Sequence, residues 1–345
     1  MSKITAEYCA KQKQNCTLQI TVLTVLTQLI LSITQYLSPP KDPHKDLCKN
    51  SNEKNDWMNL LLCNKVIRLA CIPHISHIFS NARNLAPHEK LLVTKLHIMD
   101  KSKHPMFLDK NVFALFQNVR ELSFCRFSNA VLTPALLLPE KLTVLKLGTS
   151  HKLTDLNLHL SLRLTRLQLG DLFDEPIVVG TLPERLLELI FGNTFNQKIS
   201  SGVLPEGLTK LHLGFKFNQL LLPGVLPIGL TTLVFNGYFD QILSDGVLPP
   251  NLLNLEFGNG FNKILLPGTL PSKLTSLKFG AFYTQALNID VLPTTLRVLE
   301  FGQLYGFPIG ELVLSKSLTE LILPRNYTFS LPPNLPEGLV VRWKD

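Results

Sequence analysis

The residues of this chain best placed to act together as a chemical group are Cys63, Cys71, His74 and His77, a stretch from which, with Cys48 or His44, the donors of a zinc site could be drawn. Their spacing matches no standard finger, and no C-x-x-C pair occurs. A second recurring set is Asn196-Gln197, Asn218-Gln219, Asp240-Gln241 and Asn262-Lys263. Such side chains at a fixed period could bind calcium, but a repeated Asp cage needs more acid than these pairs carry. They are read instead as side chains satisfying backbone groups at a corner. The nine His are scattered, and His212 has no Ser or Cys at nucleophile spacing. No G-x-S-x-G, P-loop or H-E-x-x-H is present. The expectation is a protein that is not an enzyme, with no cofactor and no metal.

What must position these side chains is a unit of 22 residues. The blocks GTLPERLLELIFGNTFNQKISS, GVLPEGLTKLHLGFKFNQLLLP, GVLPIGLTTLVFNGYFDQILSD and GVLPPNLLNLEFGNGFNKILLP stand end to end over residues 180–267. Pro139, Ser161, Pro183, Pro205, Pro227, Pro249, Pro271, Pro293 and Ser315 keep the same interval, so nine units share one register. Counting a unit from its Gly, as at Gly202, apolar residues fall at positions 3, 7, 10, 12, 16 and 20, here Leu204, Leu208, Leu211, Leu213, Phe217 and Leu221. Positions 10 to 12 alternate in, out, in, which is one short strand per coil. Stacked coils would form a parallel sheet roughly 45 Å long at the usual strand spacing. The Gly after the strand (Gly148, Gly170, Gly192, Gly214, Gly258, Gly280, Gly302), replaced once by Asn236, is expected to take a positive φ. Leu-Pro pairs such as Leu226-Pro227 should start the turn back into the strand. Position 16 is aromatic in eight units, from Phe173, Phe195, Phe217, Phe239 and Phe261 to Tyr283, Tyr305 and Tyr327, which predicts a stacked spine.

The pattern LP-x-x-L-x-x-L-x-F-G-x-x-F-N-Q over residues 136–331 resembles the FNIP repeat family, which is leucine-rich-repeat-like. The resulting fold class is mainly β: a leucine-rich-repeat-like solenoid of 22-residue units with one short parallel strand per coil, preceded by a small α-helical module. The expected divisions are an N-terminal tail over 1–17, a helical module over 18–80, divergent capping repeats over 91–135, the FNIP solenoid over 136–333 and a C-terminal cap over 334–345. Val93-Leu96-Ile98 and Val119-Leu122-Phe124 are the strands expected in the capping repeats. The last unit is one residue short, and Arg342 is expected in the usual Leu place.

Between Lys13 and Lys41 there is no charge, so residues 18–37 have the length of a membrane span. Gln19, Thr21, Thr24, Thr27, Gln28, Ser32, Thr34 and Gln35 interrupt them, while Val22, Leu26, Leu29, Ile30, Ile33 and Leu37 form one stripe. That is a helix that packs against protein rather than lipid. Its sequel, Tyr36-Leu37, then Ser38-Pro39-Pro40-Lys41-Asp42, an apolar run and Cys63, resembles an F-box. The resemblance implies docking on the Skp adaptor of a cullin-RING ubiquitin ligase, with Leu29, Ile30, Ile33, Leu37, Pro40, Leu61 and Cys63 on the adaptor-facing or internal apolar surface. The same stripe also fits the core of a plain helical cap.

A substrate would meet the strand residues that the core does not dictate. Position 11 reads Lys146, Gln168, Ile190, His212, Val234, Glu256, Lys278, Glu300 and Ile322, flanked by Arg166, Glu188, Lys210, Asn254, Arg297 and Glu320. A mosaic of both charges with aliphatic residues suits a protein partner. Formal charge is +8, but residues 1–90 hold 11 Lys or Arg against 6 Asp or Glu, leaving 23 against 20 beyond them. A near-neutral array argues against nucleic acid. Five of six Cys lie before residue 72, which reads as reduced thiols in the cytosol or nucleus, and only Asn15 and Asn326 head glycosylation sequons. The expectation is a client-binding subunit of an SCF-type ligase, with a plain interaction scaffold as the rival and a secreted repeat ectodomain as a third reading.

Overall fold

The computed structural model describes residues 77–78, 94–98, 116–124, 137–149, 162–310 and 313–344, all within one unit, Pro73–Asp345. The expected adaptor-facing residues Leu29, Ile30, Ile33, Leu37, Pro40, Leu61 and Cys63 lie outside the described residues. So do Cys48, His44, Cys71 and His74, the stretch 18–37, and the side chain of His77.

One sheet holds every described strand. In chain order these are β1 (His77–Ile78), β2 (Lys95–Ile98), β3 (Glu121–Phe124), β4 (Val144–Lys146), β5 (Arg166–Gln168), β6 (Glu188–Ile190), β7 (Lys210–Leu213), β8 (Thr232–Phe235), β9 (Asn254–Glu256), β10 (Ser276–Lys278), β11 (Val298–Glu300), β12 (Glu320–Pro324) and β13 (Val340–Lys344). Each pairs in parallel with the next, so spatial order equals sequence order. From β4 to β12 the register advances by one unit per strand: Leu167 pairs with Leu189, Leu189 with Leu211, and Leu211 with Leu233. The sheet begins earlier than expected, because β1 lies inside the range assigned to the helical module and pairs with Leu96 and His97. Two residues are too few to show period-two alternation, so this strand leaves no signature in the sequence.

The core sits between the sheet and the rest of each coil. Leu204, Leu208, Leu211, Leu213, Phe217 and Leu221 are all buried, and their counterparts in neighbouring coils behave alike. Full burial of such a side chain contributes about 1.5–3 kcal/mol. Turns enter each strand as the Leu-Pro pairs suggest: Leu208 N donates to Pro205 O at 3.0 Å, and the same bond recurs at Leu230 and Pro227. The position-16 spine forms, with ring centroids of Phe195, Phe217, Phe239 and Phe261 6.0 to 6.2 Å apart and nearly parallel. Beside it runs a second column, Phe235, Phe257, Phe279 and Phe301, at 5.5 to 5.7 Å. The two columns meet inside each coil, as at Phe257 and Phe261, 3.8 Å apart.

The glycines after the strands do not carry positive φ. That conformation belongs to position 1 of the unit (Gly180, Gly202, Gly224, Gly246, Gly268), where Asp290 is the non-glycine exception at φ 63°, and to Gly338 in the turn before β13. The post-strand glycines are needed for closeness instead: a Cβ on Gly280 would stand 2.1 Å from Gly258 O in the coil beneath. Asn236 has another reason too. Its Nδ2 donates to Leu213 O at 2.8 Å, and the tight approach moves one residue on, to Gly237.

The corner side chains do what the sequence suggests. Asn218 N donates to Asn196 Oδ1, Asp240 N to Asn218 Oδ1 and Asn262 N to Asp240 Oδ1, each at 2.9 Å. The partner at position 18 adds a second donor, as Gln241 Nε2 does to Asn218 Oδ1 at 2.9 Å. Each acceptor oxygen therefore stitches one coil to the next. At the C-terminal end the register shifts: Val341, not Arg342, pairs with Leu321 in the Leu place, and Arg342 pairs with Ile322. Placing Arg342 outward spares a buried guanidinium and brings its Nε within 2.9 Å of Glu320. Among the described residues no helix is long and apolar enough to cross a membrane.

Candidate functional site: the outer face of the sheet

The sheet turns two ladders of side chains away from the core. Lys146, Gln168, Ile190, His212, Val234, Glu256, Lys278, Glu300 and Ile322 pair strand to strand at position 11, so residues far apart in sequence form one row. Arg166, Glu188, Lys210, Asn254 and Glu320 form the parallel row at position 9, together with Val144, Thr232, Ser276 and Val298. Arg297 stands apart, at position 8 just before β11. Position 8 is more committed than its variability suggests: Leu187 O accepts from Thr209 N, Lys210 N and Thr209 Oγ1, all at about 3 Å. The same hydroxyl bond recurs at Thr231 and Thr275.

Charges on this face meet across strands. Glu121 bonds Lys146 at 2.7 Å and Lys95 at 3.1 Å, Arg166 reaches Glu188 at 3.3 Å, and Lys278 lies 3.8 Å from Glu300, which also pairs with Lys344. Partial burial works to raise the Glu121 carboxyl, but the two ammonium groups outweigh it and hold it below its ordinary value. Partial burial likewise pushes the His212 imidazole down, against the pull of Glu188 and Glu256, so it is neutral near pH 7. Ile190, Val234 and Ile322, expected as exposed aliphatics, are half-buried between their cross-strand neighbours. They contribute flat apolar floor rather than projecting anchors.

Beside the C-terminal half of this face runs a groove of about 420 Å³, lined by Glu256, Lys278, Glu300 and Lys344 and by Gly258, Gly280 and Gly302. A Cβ at these glycines would run into the backbone of the neighbouring coil, so this part of the lining carries no side chains. Sequence reasoning missed this groove, because it read the glycines only as turn residues. It also missed the continuation of the position-11 row into β2 and β3, where His97 Nδ1 lies 2.8 Å from Ser123 Oγ. That pair is buried, which closes it to a substrate. Among the described residues no cluster of His, Cys, Asp or Glu could hold a metal ion.

Comparison with known proteins agrees with this architecture. The FNIP Repeat family model matches residues 159–194, 173–216, 217–260 and 261–304, so the chain carries FNIP repeats in four tandem copies. Among solved structures, CroV588, described as a novel circular LRR protein, is 34% identical with a TM-score of 0.65 over 75% of this chain. The match spans only 38% of CroV588. The leucine-rich repeat domain of APL1B is 15% identical (TM-score 0.46, 78% of this chain and 91% of that one). The functional domain of InlJ from Listeria monocytogenes is 16% identical (TM-score 0.45, 73% of this chain and 56% of that one). No curated protein matches the chain.

Proposed function

We propose that this FNIP-repeat solenoid is a non-catalytic protein-binding subunit that holds a client across the outer face of its sheet and the adjoining groove. The observation that carries the reading is the in-register row from Lys146 to Ile322, which offers both charges, half-buried aliphatics and an open groove on one rigid surface. The finer assignment is substrate recognition for an SCF-type ubiquitin ligase, with the N-terminal residues engaging the Skp adaptor and through it the cullin. It is supported by the F-box resemblance of the sequence preceding residue 76, and it implies a cytoplasmic or nuclear location. The rival is a scaffold without any ligase connection.

Two experiments separate these. Co-purification with the Skp adaptor should succeed for the full chain and fail for one beginning at Pro73; failure of both removes the ligase role and leaves the scaffold. Changing Ile190, Val234 and Ile322 together to Ser should leave the circular dichroism spectrum intact and abolish client capture. Capture at full strength would show that the sheet face is not the client site.

A further inference from the structure

Charge on the outer face of the sheet is unevenly settled. Among the described residues its ion pairs lie on β2 to β6, where Glu121 takes Lys95 and Lys146 and Arg166 meets Glu188, and on β10 to β13, where Glu300 takes Lys278 and Lys344 and Glu320 takes Arg342. The strands between them, β7 to β9, carry two charges in their outward rows, Lys210 and Glu256, and neither has an ion-pair partner among the described residues. Their cross-strand neighbours are engaged away from the centre: Glu188, beside Lys210, reaches Arg166 at 3.3 Å, and Lys278, beside Glu256, lies 3.8 Å from Glu300. From β4 to β12, Lys210, Asn254 and Glu256 are also the only members of the two rows that are exposed rather than half-buried. Lys210 stands at position 9 of β7 and Glu256 at position 11 of β9, which places them on one diagonal of a four-cornered site. The other diagonal is neutral: His212, uncharged near pH 7, and Asn254, whose Nδ2 lies 3.4 Å from Thr232 Oγ1. The floor between the corners is Thr232 and Val234 of β8, short and half-buried. Over residues 202–217, 224–239 and 246–261 the other charges are Glu206 in the turn before β7 and Lys216 in the turn after it, one beyond each end of that strand.

We propose that this quartet anchors the client by taking an extended peptide segment with one acidic and one basic side chain, the acid on Lys210 and the base on Glu256, and small or aliphatic residues between them over Thr232 and Val234. The assignment rests on the reading of the sheet face as the client site and supplies its chemistry. Two strand spacings across and two residues along set the charged corners on the order of 12 Å apart at Cα, which an extended chain covers in about three or four residues. A segment with both signs at that spacing matches both corners. A nucleic-acid backbone, anionic throughout, would be repelled at Glu256. Exposed pairs of this kind add little affinity, but a wrong sign at either corner is penalised, so the quartet acts chiefly on which segment is chosen. Glu256 also lines the groove, so a segment leaving the quartet on that side continues into it.

The test uses the full chain and an array of synthetic decapeptides of Gly, Ala and Val that carry one Asp and one Arg at every spacing and in both orders. Signal at low salt should peak at a spacing of three or four residues and fall about fivefold for peptides with two Asp, two Arg or no charge. Lys210→Glu should move the preference to two Arg and Glu256→Lys to two Asp, each with unchanged circular dichroism. Lys198→Glu, past the aromatic spine of its coil, should keep the preference for Asp with Arg. A full chain that binds none of the peptides, binds them without regard to charge, or keeps its preference after Lys210→Glu would overturn the proposal. The broader reading fails separately. Client capture abolished by changing Ile190, Val234 and Ile322 to Ser, yet indifferent to Lys210→Glu and Glu256→Lys, keeps the sheet face and removes the quartet; capture indifferent to all of these substitutions removes both.

Discussion

The aromatic spine contains its own control experiment. Five phenylalanines are followed by Tyr283, Tyr305 and Tyr327 in the same column, with rings stacked at 6.0 to 6.3 Å throughout that last stretch. The Tyr327 hydroxyl accepts a bond from Ile309 N at 3.2 Å. Those of Tyr283 and Tyr305 are fully buried and have no hydrogen-bond partner among the described residues, and burial holds both phenols well above their ordinary 10.0. Replacing Tyr with Phe keeps the ring and removes only the oxygen. For an unsatisfied buried hydroxyl this relieves a desolvation cost of about 1–3 kcal/mol, whereas loss of a made bond costs about 0.5–1.5 kcal/mol. Tyr283→Phe and Tyr305→Phe should therefore raise the urea midpoint, and Tyr327→Phe should lower it. Because a repeat array can unfold in stages, the three variants should be compared at a common denaturation slope. If Tyr283→Phe lowers the midpoint as much as Tyr327→Phe does, the hydroxyl is held by a bond and this account of the column is wrong.

Other perturbations follow from the same packing. Gly280→Ala, which drives a Cβ against Gly258 O, should destabilise by more than Gly224→Ala, which meets nothing within 4 Å and carries only the roughly 1 kcal/mol strain of its positive φ; thermal melts of the pair decide this. Asn218→Ala should cost about 1–3 kcal/mol by stranding Asp240 N, while Asn218→Asp should be better tolerated, since Asp174 and Asp240 fill the same role in other coils. Stability should fall as pH rises past 10, because the phenol values of Tyr283 and Tyr305 are higher folded than unfolded, and Tyr283→Phe with Tyr305→Phe should flatten that decline in a pH series of melts. Glu121 is the opposite case: its folded value lies below the ordinary 4.5, so its contribution holds above that pH and is lost as acid protonates it, and Glu121→Gln should remove that part of the acid response.

The period of 22 residues made the solenoid legible, because each inward position is set by contact with an identical coil and so repeats without drift. Leu211, Phe217 and the corner Asn218 could all be placed from spacing alone. The post-strand glycines could not. Gly at a turn has two physical uses, positive φ and close approach, and a sequence records only that Cβ is missing. The ends were harder still, since β1 has two residues and β13 closes against no further coil, so neither is bound to the repeat. On the sheet face, the row of position 11 was readable, but the exposure of Ile190, Val234 and Ile322 was overestimated. Alternation says which side a residue faces and not how deeply its neighbours bury it.

The strand offsets have a consequence for how such a chain can change over generations. Interior strands are separated by 22 residues without exception, whereas β2 to β3 spans 26, β3 to β4 spans 23 and β12 to β13 spans 20. Spacing is strict through the run of nearly identical units from β4 to β12 and looser in the divergent coils on either side of it. Copying or deleting a whole interior unit preserves the strand register at the new junction, and keeps the corner and ring contacts wherever the adjoining coils carry the same residues. A duplication would lengthen the outer face by one strand and bring one new pair of outward residues, while an insertion of a single residue would break the Asn ladder, the spine and the strand register together. The fold is thus open to recombination in units of a coil and closed to small insertions, which makes the length of its binding face a heritable variable.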